Sequence, residues 1–334
     1  MCRLALALGL IVLAIAGTGA RAFEVEDRRV FAVSDPTATL RVISTTDTAV
    51  FAPTILAFQQ REPTVAVDYI ATSSTELMKA LQQDGRTFDI AISSAMDLQI
   101  KLANDGLALS HGSAATARLP DWAKWRDRVF AFTSEPATVI MRRDAFGPEG
   151  SPRTRRELVE MLRRDPQRFR GRIGTYDVRR SGLGFLFATQ DARNSEAFWR
   201  LMEVFGTLDA KLYCCSGVMI DAVAHGELLM AYNVLGSYVP TTGAEAVEVI
   251  ELRDFTTVMQ RTIIAPVTAE HPRIAFRFID HVLQTGSRSA LRRDGAASTW
   301  HRPIRLGPGL LTYLDRLKKK LFLEEWESAI EQAR

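Results

Sequence analysis

The stretch 171–187 holds the residues of this 334-residue chain that are best suited to bind a ligand. It joins a short strand-like run to a segment with the apolar spacing of a helix. Between the two stand a phenol, a carboxylate, two guanidinium groups and a hydroxyl beside a glycine, namely Tyr176, Asp177, Arg179, Arg180, Ser181 and Gly182. Unpaired N–H groups at a helix N-terminus, next to a guanidinium, suit an anion. We therefore predict that this stretch forms one wall of a cleft for a small anionic molecule. Asp177 can accept hydrogen bonds from hydroxyl groups of the same molecule.

Plainer interpretations of the same stretch stay open. Two adjacent arginines in a loop are often only solvated charge, and Gly182 is also what a tight turn requires. The Gly-x-Gly at Gly182 and Gly184 lacks the third glycine of a dinucleotide-binding motif, since Phe187 stands at that place. We therefore predict no nucleotide cofactor, and no cofactor of any other kind.

The first 22 residues have the pattern of a secretory signal peptide. An early arginine precedes an apolar run, and Ala20-Arg21-Ala22 forms a cleavage site before Phe23. Cleavage leaves 312 residues and, by removing Arg3 and Arg21, lowers the formal net charge from +3 to +1. A nearly neutral chain gives no overall attraction to nucleic acid. We expect a secreted protein that binds no nucleic acid.

The length of the chain and its cysteines indicate the number of domains and the role of disulfides. A chain of this size is near the limit of a single core, so two domains are expected. Beyond residue 22 the only cysteines are Cys214 and Cys215, and adjacent cysteines rarely meet disulfide geometry. We expect them to be a half-buried free pair, with a soft-metal site as the less favoured alternative.

An alternation of strand and helix patterns opens the chain after a polar arm at 23–39. The pattern predicts strands at 40–43, 65–70 and 88–92, each followed by a helix, at 49–60, 75–83 and 96–104. The order βαβαβα implies a parallel sheet. All three strands end in hydroxyl residues: Ser44, Thr45 and Thr46; Ser73 and Ser74; and Ser93. Ligands bind at the carboxyl ends of such strands, although serine and threonine also cap helices.

The second half adds a similar cluster. A β-rich run at 129–141 is interpreted as a crossover strand, and Ser216 as the cap of a helix ending at 224. A strand at 228–234 carries Asn233, Ser237 and Tyr238 at its end. Runs at 248–253 and 260–265 are interpreted as strands returning to the first lobe, and 314–332 as a terminal helix.

Three segments, 42–47 (VISTTD), 88–93 (FDIAIS) and 225–238 (HGELLMAYNVLGSY), resemble the periplasmic solute-binding proteins of ABC importers, in the branch that includes ferric-iron binders. The resemblance implies an α/β clamshell of type II with strands as a hinge. The lobes would be 40–135 with 262–334, and 136–261.

One departure from that branch bears on the ligand. Ferric binders carry two adjacent tyrosines near Asn233, whereas here Tyr232 and Tyr238 are separated. The segment looks more like relatives that bind sugar phosphates or phosphoglycerate. The resemblance then assigns the ligand's hydroxyl groups to a strand-end aspartate and nearby hydroxyl residues, here Asp177, Ser44, Thr45, Ser73 and Ser181.

The expected function is that of a monomeric periplasmic receptor, not an enzyme, that carries a small anionic solute, with a phosphate ester preferred, to an ABC permease in the inner membrane. No catalytic or metal-binding constellation is predicted. The alternatives are presentation of the solute to the periplasmic domain of a sensor kinase, and transport of ferric iron.

Overall fold

A computed structural model describes residues 23–82, 87–147, 150–238, 244–290 and 298–331. The predicted signal peptide, residues 1–22, lies outside these ranges. Within them, no helix combines the length and the apolar character needed to cross a bilayer.

Strands and helices alternate as the sequence pattern predicts, and the α/β fold class is confirmed. The strands are β1 (Asp27–Phe31), β2 (Ala38–Ser44), β3 (Val65–Ala71), β4 (Ile90–Ser93), β5 (Lys124–Trp125), β6 (Val129–Ala131), β7 (Glu135–Arg142), β8 (Ile173–Tyr176), β9 (Lys211–Tyr213), β10 (Met230–Leu235), β11 (Val247–Ile250), β12 (Thr256–Met259), β13 (Thr262–Ile264) and β14 (His301–Pro303). The helices are α1 (Thr48–Gln59), α2 (Ser74–Gln82), α3 (Met96–Asn104), α4 (Arg155–Arg164), α5 (Pro166–Phe169), α6 (Gly182–Asn194), α7 (Ala197–Thr207), α8 (Ser216–Ala224), α9 (Pro272–Ala290) and α10 (Arg316–Ile330).

The first sheet has the strand order β1-β3-β2-β4-β13-β6-β5. Its centre is parallel, because β2 pairs with both β3 and β4 in the same direction. All seven residues of β3 are buried. Helices cover both faces of a parallel sheet, so both faces of such a strand are buried; the one charged residue of β3, Asp68, pairs with Arg28 of β1. We call this sheet and its helices α1, α2, α3 and α9 lobe 1.

The second sheet has the order β14-β12-β7-β10-β8-β9, and β11 also pairs with β7. Strands β10, β8 and β9 run parallel, whereas β7 is antiparallel to β10. We call this sheet and its helices α4 to α8 lobe 2. The carboxyl ends of β8, β9 and β10 lead into the segments that carry Ser181, Ser216 and Tyr238.

The chain passes from one sheet to the other three times: once between β13 and β14, by way of α9, and at two further crossings that are adjacent to each other. One lies between β6 and β7, and the other between β12 and β13. Glu135 and Arg261 stand at these crossings and form a buried ion pair, with Nε of Arg261 2.9 Å from Oε1 of Glu135. The two strands that connect the lobes are thus tied to each other, as a hinge requires.

The N-terminal arm and the C-terminal helix differ from their predicted places in the two lobes. The arm at 23–39 was expected to be irregular, but β1 pairs with β3 in antiparallel register and Phe23 packs edge-on against Phe88. The terminal helix α10 was expected in lobe 1. It buries Phe322, Trp326 and Ile330 in the apolar core of lobe 2 instead.

Two runs interpreted as strands returning to lobe 1 behave differently. The run at 260–265 does so, as β13 pairs with β4 and β6. The run at 248–253 overlaps β11, which pairs with β7 in lobe 2. The strand that precedes the crossing is β12, for which the sequence offered no prediction.

Candidate functional site

A cavity of about 510 Å³ lies between the two lobes. Residues from both lobes and from the second crossing line it: Glu26, Thr45, Asp47, Thr72, Ser73, Ser74, Ser94, Tyr176, Arg180, Ser181, Leu183, Cys214, Cys215, Ser216, Gly217, Val218, Asp221, Leu235, Tyr238 and Arg261. Its volume falls within the range of sites for small organic ligands.

Five helices begin at this cavity. The residues that line it include the N-terminal flanks of α1 and α2 and α3 in lobe 1, and of α6 and α8 in lobe 2. Each helix N-terminus carries a partial positive charge of roughly half a unit together with N–H groups that have no partner inside the helix. Within the described residues no side chain caps α8, so the amides of Gly217 and Val218 are left for a ligand. The convergence favours a negatively charged solute.

The hydroxyl residues at the ends of β2 and β4 have two roles: one forms the turn, and the next lines the cavity. Ser44 ends β2 and accepts a hydrogen bond from the amide of Thr46 at 3.0 Å. Ser93 ends β4 and accepts one from the amide of Ala95 at 3.1 Å. The next residue in each case, Thr45 and Ser94, faces the cavity. The last strand residue therefore shapes the turn, and its successor is presented to the ligand.

The two guanidinium groups at the cavity differ in how fully they are engaged. Arg261 is buried and bonds Glu135, Thr46 Oγ1 at 2.6 Å and Tyr238 Oη at 2.8 Å. Arg180 is exposed, and its guanidinium forms no ion pair with any described residue. The charge of Arg261 is thus offset by Glu135, while that of Arg180 is available to a ligand.

Three carboxylates also line the cavity. Glu26 and Asp47 come from lobe 1 and Asp221 from lobe 2, and none of them pairs with a cation of the described residues. Partial burial, followed by the negative charges of Asp47 and Glu24, raises the pKa of Glu26. Carboxylates accept hydrogen bonds from hydroxyl groups, so these groups suit a ligand that carries hydroxyls as well as an anion.

Two phenols reach the cavity, and both are engaged by neighbours. Tyr176 is hydrogen-bonded to Ser216 Oγ, and burial raises its pKa well above the ordinary value. Tyr238 accepts a hydrogen bond from Arg261, and burial raises its pKa as well. Both side chains are therefore neutral phenols at neutral pH. Within the described ranges, no three His, Cys, Asp or Glu side chains are grouped as metal ligands.

The adjacent cysteines form a disulfide on the cavity wall. The sulfur atoms of Cys214 and Cys215 are bonded to each other, whereas the sequence suggested a free pair. The expectation rested on the rarity of bridges between neighbours, and that rarity does not forbid them.

Seven of the predicted site residues line the cavity: Thr45, Ser73, Ser74, Tyr176, Ser181, Ser216 and Tyr238. The structure does not bring the others to it. Ser44 and Ser93 close turns, Thr46 binds Arg261, and Ser237 donates to Glu135 at 3.1 Å.

Asp177 and Arg179, on which the predicted anion site depended, face away from the cavity. Nε of Arg179 is 2.8 Å from Oδ1 of Asp177, and its Nη1 is 2.5 Å from Oε1 of Glu331 at the end of α10. Partial burial would raise the pKa of Asp177, but the hydrogen bonds and charge of Arg179 hold it below its ordinary value. Of the two adjacent arginines, it is Arg180 that lines the cavity.

Asn233 does not line the cavity; it stabilises the fold of lobe 2. Its φ of 60° lies in the left-handed region, which asparagine tolerates better than most residues. The register of β10 against β7 shifts at this point. The side chain donates to buried Asp191 at 2.9 Å.

Sequence reasoning missed the carboxylates, Ser94, Arg261 and the disulfide as cavity residues. Thr72 and Ser94 directly follow β3 and β4 and adjoin the predicted Ser73 and Ser93, so a shift of one residue along the chain would have included them in the predicted site. Glu26 depends on the pairing of β1 with β3, which the polar composition of the arm did not indicate.

Similarity to a solved structure decides the family. The chain is 32% identical to the substrate-binding protein of an ABC transporter from Agrobacterium tumefaciens, over 91% of this chain and 98% of that one, with a TM-score of 0.82. The chain belongs to the substrate-binding proteins of ABC transporters. This family consists of binding proteins, not enzymes, and its membership implies a solute and a membrane permease as partners. Neither the protein-family models nor the curated proteins gave a match.

Two more distant structures share the fold of this substrate-binding protein. AfuA from Actinobacillus pleuropneumoniae, solved with exogenous fructose-6-phosphate bound, is 16% identical over 89% of this chain and all of that one, with a TM-score of 0.69. Iron-bound HitA from Pseudomonas aeruginosa is 18% identical over 87% and 99%, with a TM-score of 0.67. At these identities the likeness shows the two-lobed type II fold alone.

Gly182 lies where the two lobes approach each other closely. A Cβ placed on it would collide with Ser74 Oγ and lie 3.1 Å from Leu98 Cδ1, both in lobe 1. We expect Gly182→Ala to hold the lobes apart and to weaken solute affinity about tenfold, because only the closed form binds from both sides. Calorimetry and small-angle scattering measure the two effects. Gly112→Ala is the control, since a Cβ there meets no described atom within 4 Å. If Gly182→Ala and Gly112→Ala bound the solute equally well, closure of the lobes would not depend on the contact at Gly182.

Asp97 makes stability depend on pH near neutrality. Burial raises its pKa to about 7, although the amide of Leu98 and the charge of Lys319 oppose the shift. Lys101, Arg179 and Lys319 share the small cavity that it faces. Because the folded state holds this proton more tightly than the unfolded one, the free energy of unfolding falls as pH rises towards 7. We expect wild type to lose about 2 kcal/mol more than Asp97→Asn between pH 5 and pH 8 in urea denaturation. Parallel profiles would contradict this.

Proposed function

We propose that this substrate-binding protein is the periplasmic receptor for a phosphate ester, such as a sugar phosphate or phosphoglycerate, that it delivers to its permease. The observation that carries the proposal is the unpaired guanidinium of Arg180 beside the N-termini of α6 and α8, on a cavity large enough for a small organic solute. Phosphate is the group that such an arrangement favours.

The lining suggests which way the solute lies. Arg180, Ser181 and the uncapped amides of α8 are on lobe 2 and suit the phosphate. Glu26, Asp47 and Thr45 are on lobe 1 and suit hydroxyl groups. Asp221, on lobe 2, is a further acceptor. A solute with a charged end and a hydroxylated end would therefore contact both lobes and stabilise the closed form.

The energetics permit such a receptor. Micromolar affinity requires about 8 kcal/mol of net binding free energy. Charge-assisted hydrogen bonds contribute about 1.5–3 kcal/mol each, so several of them exceed that figure before the cost of immobilising the solute and closing the lobes.

A ferric ion is less well matched to this cavity. Neutral, hydrogen-bonded Tyr176 and Tyr238 would each have to lose a proton to bind ferric iron, and the cationic Arg261 lies against Tyr238. A trivalent cation would also face five helix N-termini of like sign.

A thermal-shift screen tests the proposal. Fructose 6-phosphate, 3-phosphoglycerate, a dicarboxylate and a ferric salt are each added to the purified protein and to Arg180→Ala. A solute at a hundred times its Kd stabilises the folded state by about 2.7 kcal/mol, which raises Tm by several degrees. We expect a phosphate ester to raise the Tm of the wild-type protein and to raise that of Arg180→Ala by less. A shift with the ferric salt or the dicarboxylate alone would overturn the proposal.

A further inference from the structure

The bonded pair Cys214–Cys215 lines the cavity and has no part in the electrostatic account given above. Cys214 is exposed and Cys215 is half-buried, so the sulfur atoms are accessible from the cavity. Their surface is carbon and sulfur, with no strong hydrogen-bond donor. Together with Leu183, Val218 and Leu235 they are the apolar side chains of a lining that is otherwise hydroxylated or charged.

The position of the pair relative to the anion site is fixed by the chain. Cys215 is the residue that directly precedes α8, and the amides of Gly217 and Val218 open that helix. A phosphate held by those amides lies within a few ångströms of the disulfide. A carbon skeleton attached to a phosphate at this position can therefore contact the sulfur atoms or the neighbouring Val218.

Both ends of the pair are anchored independently of the sulfur–sulfur bond. Before it, β9 pairs with β8, and the carbonyl of Tyr213 accepts from the amide of Asp177 at 2.8 Å. After it, Ser216 Oγ is bonded to Tyr176 and accepts from the amide of Leu235 at 3.1 Å. Breaking the disulfide therefore frees two side chains and leaves the loop in place.

We propose that the Cys214–Cys215 disulfide is a specificity-determining contact surface, which packs against the carbon skeleton of the solute and favours a sugar phosphate over inorganic phosphate. The inference rests on the proposed function. The bond contributes because it holds two adjacent side chains in one rigid apolar unit. Separate thiols regain rotamer freedom, which a bound ligand must again remove.

Calorimetry on three forms of the protein tests the inference. These are the oxidised protein, the protein reduced with dithiothreitol and desalted without oxygen, and the double variant Cys214→Ser/Cys215→Ser. Dithiothreitol is uncharged and does not compete for an anion site, and the chain has no other cysteine beyond residue 22. Each form is titrated with fructose 6-phosphate and with inorganic phosphate.

For fructose 6-phosphate we expect the affinity to fall about fivefold on reduction and about tenfold in the double variant, because the variant also replaces the apolar sulfur surface with hydroxyl groups. For inorganic phosphate we expect a change of less than about twofold, since it has no carbon skeleton. Unchanged affinity for both probes would overturn the inference, and so would an equal loss for both, which would mean that the bond only shapes the anion site.

Arg180→Ala separates this outcome from a failure of the proposed function. If that variant weakens both probes while reduction weakens neither, the phosphate site stands and the disulfide contact falls. If neither phosphate compound binds in any form, both proposals fall.

Discussion

Replacing Arg180 with alanine is expected to weaken binding of fructose 6-phosphate about 10- to 100-fold in calorimetry, the loss of one charge-assisted interaction with the phosphate. Arg180 lines the cavity and makes no ion pair with a described residue. Its removal therefore leaves no buried protein group unpaired, and Tm without ligand should stay unchanged.

Arg179→Ala is the matched control, since it removes the same charge one residue earlier. Arg179 is held by Asp177, Glu327 and Glu331 and lies over the ring of Trp326. We expect its replacement to leave the affinity within about twofold and to lower stability slightly, as exposed ion pairs are worth little. If Arg179→Ala weakened binding as much as Arg180→Ala, long-range charge and not contact would be responsible.

Replacing Asp191 with alanine is expected to cost about 4–5 kcal/mol of unfolding free energy, because it breaks a buried ion pair and orphans its partners. Asp191 has no exposed surface. It accepts from Tyr232 Oη at 2.8 Å, from Asn233 at 2.9 Å and from Thr257 at 3.0 Å, and it pairs with Arg155. This network joins α4 and α6 to strands β10 and β12.

The cation in that network cannot easily become neutral when Asp191 is lost. Burial lowers the pKa of Arg155, but Tyr232, Asp191 and Asp254 together hold it above the ordinary value. Asp144→Ala is the control, since its pair with Arg142 is exposed; we expect it to cost less than about 1 kcal/mol. Urea denaturation measures both variants. A cost below about 1.5 kcal/mol for Asp191→Ala would show that the network does not stabilise lobe 2.

The helices and strands of lobe 1 were predictable because local pattern decides them. The predicted helix 96–104 coincides with α3, and the strand 65–70 falls one residue short of β3. The parallel order followed from the alternation of strands and helices. The hydroxyls at strand ends were recognised as a group, but which of two adjacent residues faces the cavity depends on turn geometry, as Ser44 and Thr45 show.

The choice between Arg179 and Arg180 could not be made from the sequence. It depends on α10, which brings Glu327 and Glu331 to Arg179 from about 150 positions further along the chain. The terminal helix was expected in lobe 1, so these partners were missing from the prediction. Contacts at that separation are set by packing of apolar faces, here Phe322 and Trp326 in lobe 2.

Asn233 illustrates the same limit at short range. Its amide and its place near the end of the predicted strand 228–234 are typical of a ligand-binding residue. The left-handed backbone turns the side chain towards Asp191, 42 positions earlier. Nothing in the local sequence marks that buried carboxylate as its partner.

The location of a bound phosphate ester tests the central claim most directly. A crystal structure of this substrate-binding protein grown with fructose 6-phosphate or 3-phosphoglycerate should place the phosphate within hydrogen-bonding distance of the Arg180 guanidinium and of the amides of Gly217 and Val218. Hydroxyl groups should point to Glu26 or Asp47. A phosphate bound outside the space between the lobes, or one that contacts Arg179 and leaves Arg180 in solvent, would contradict it.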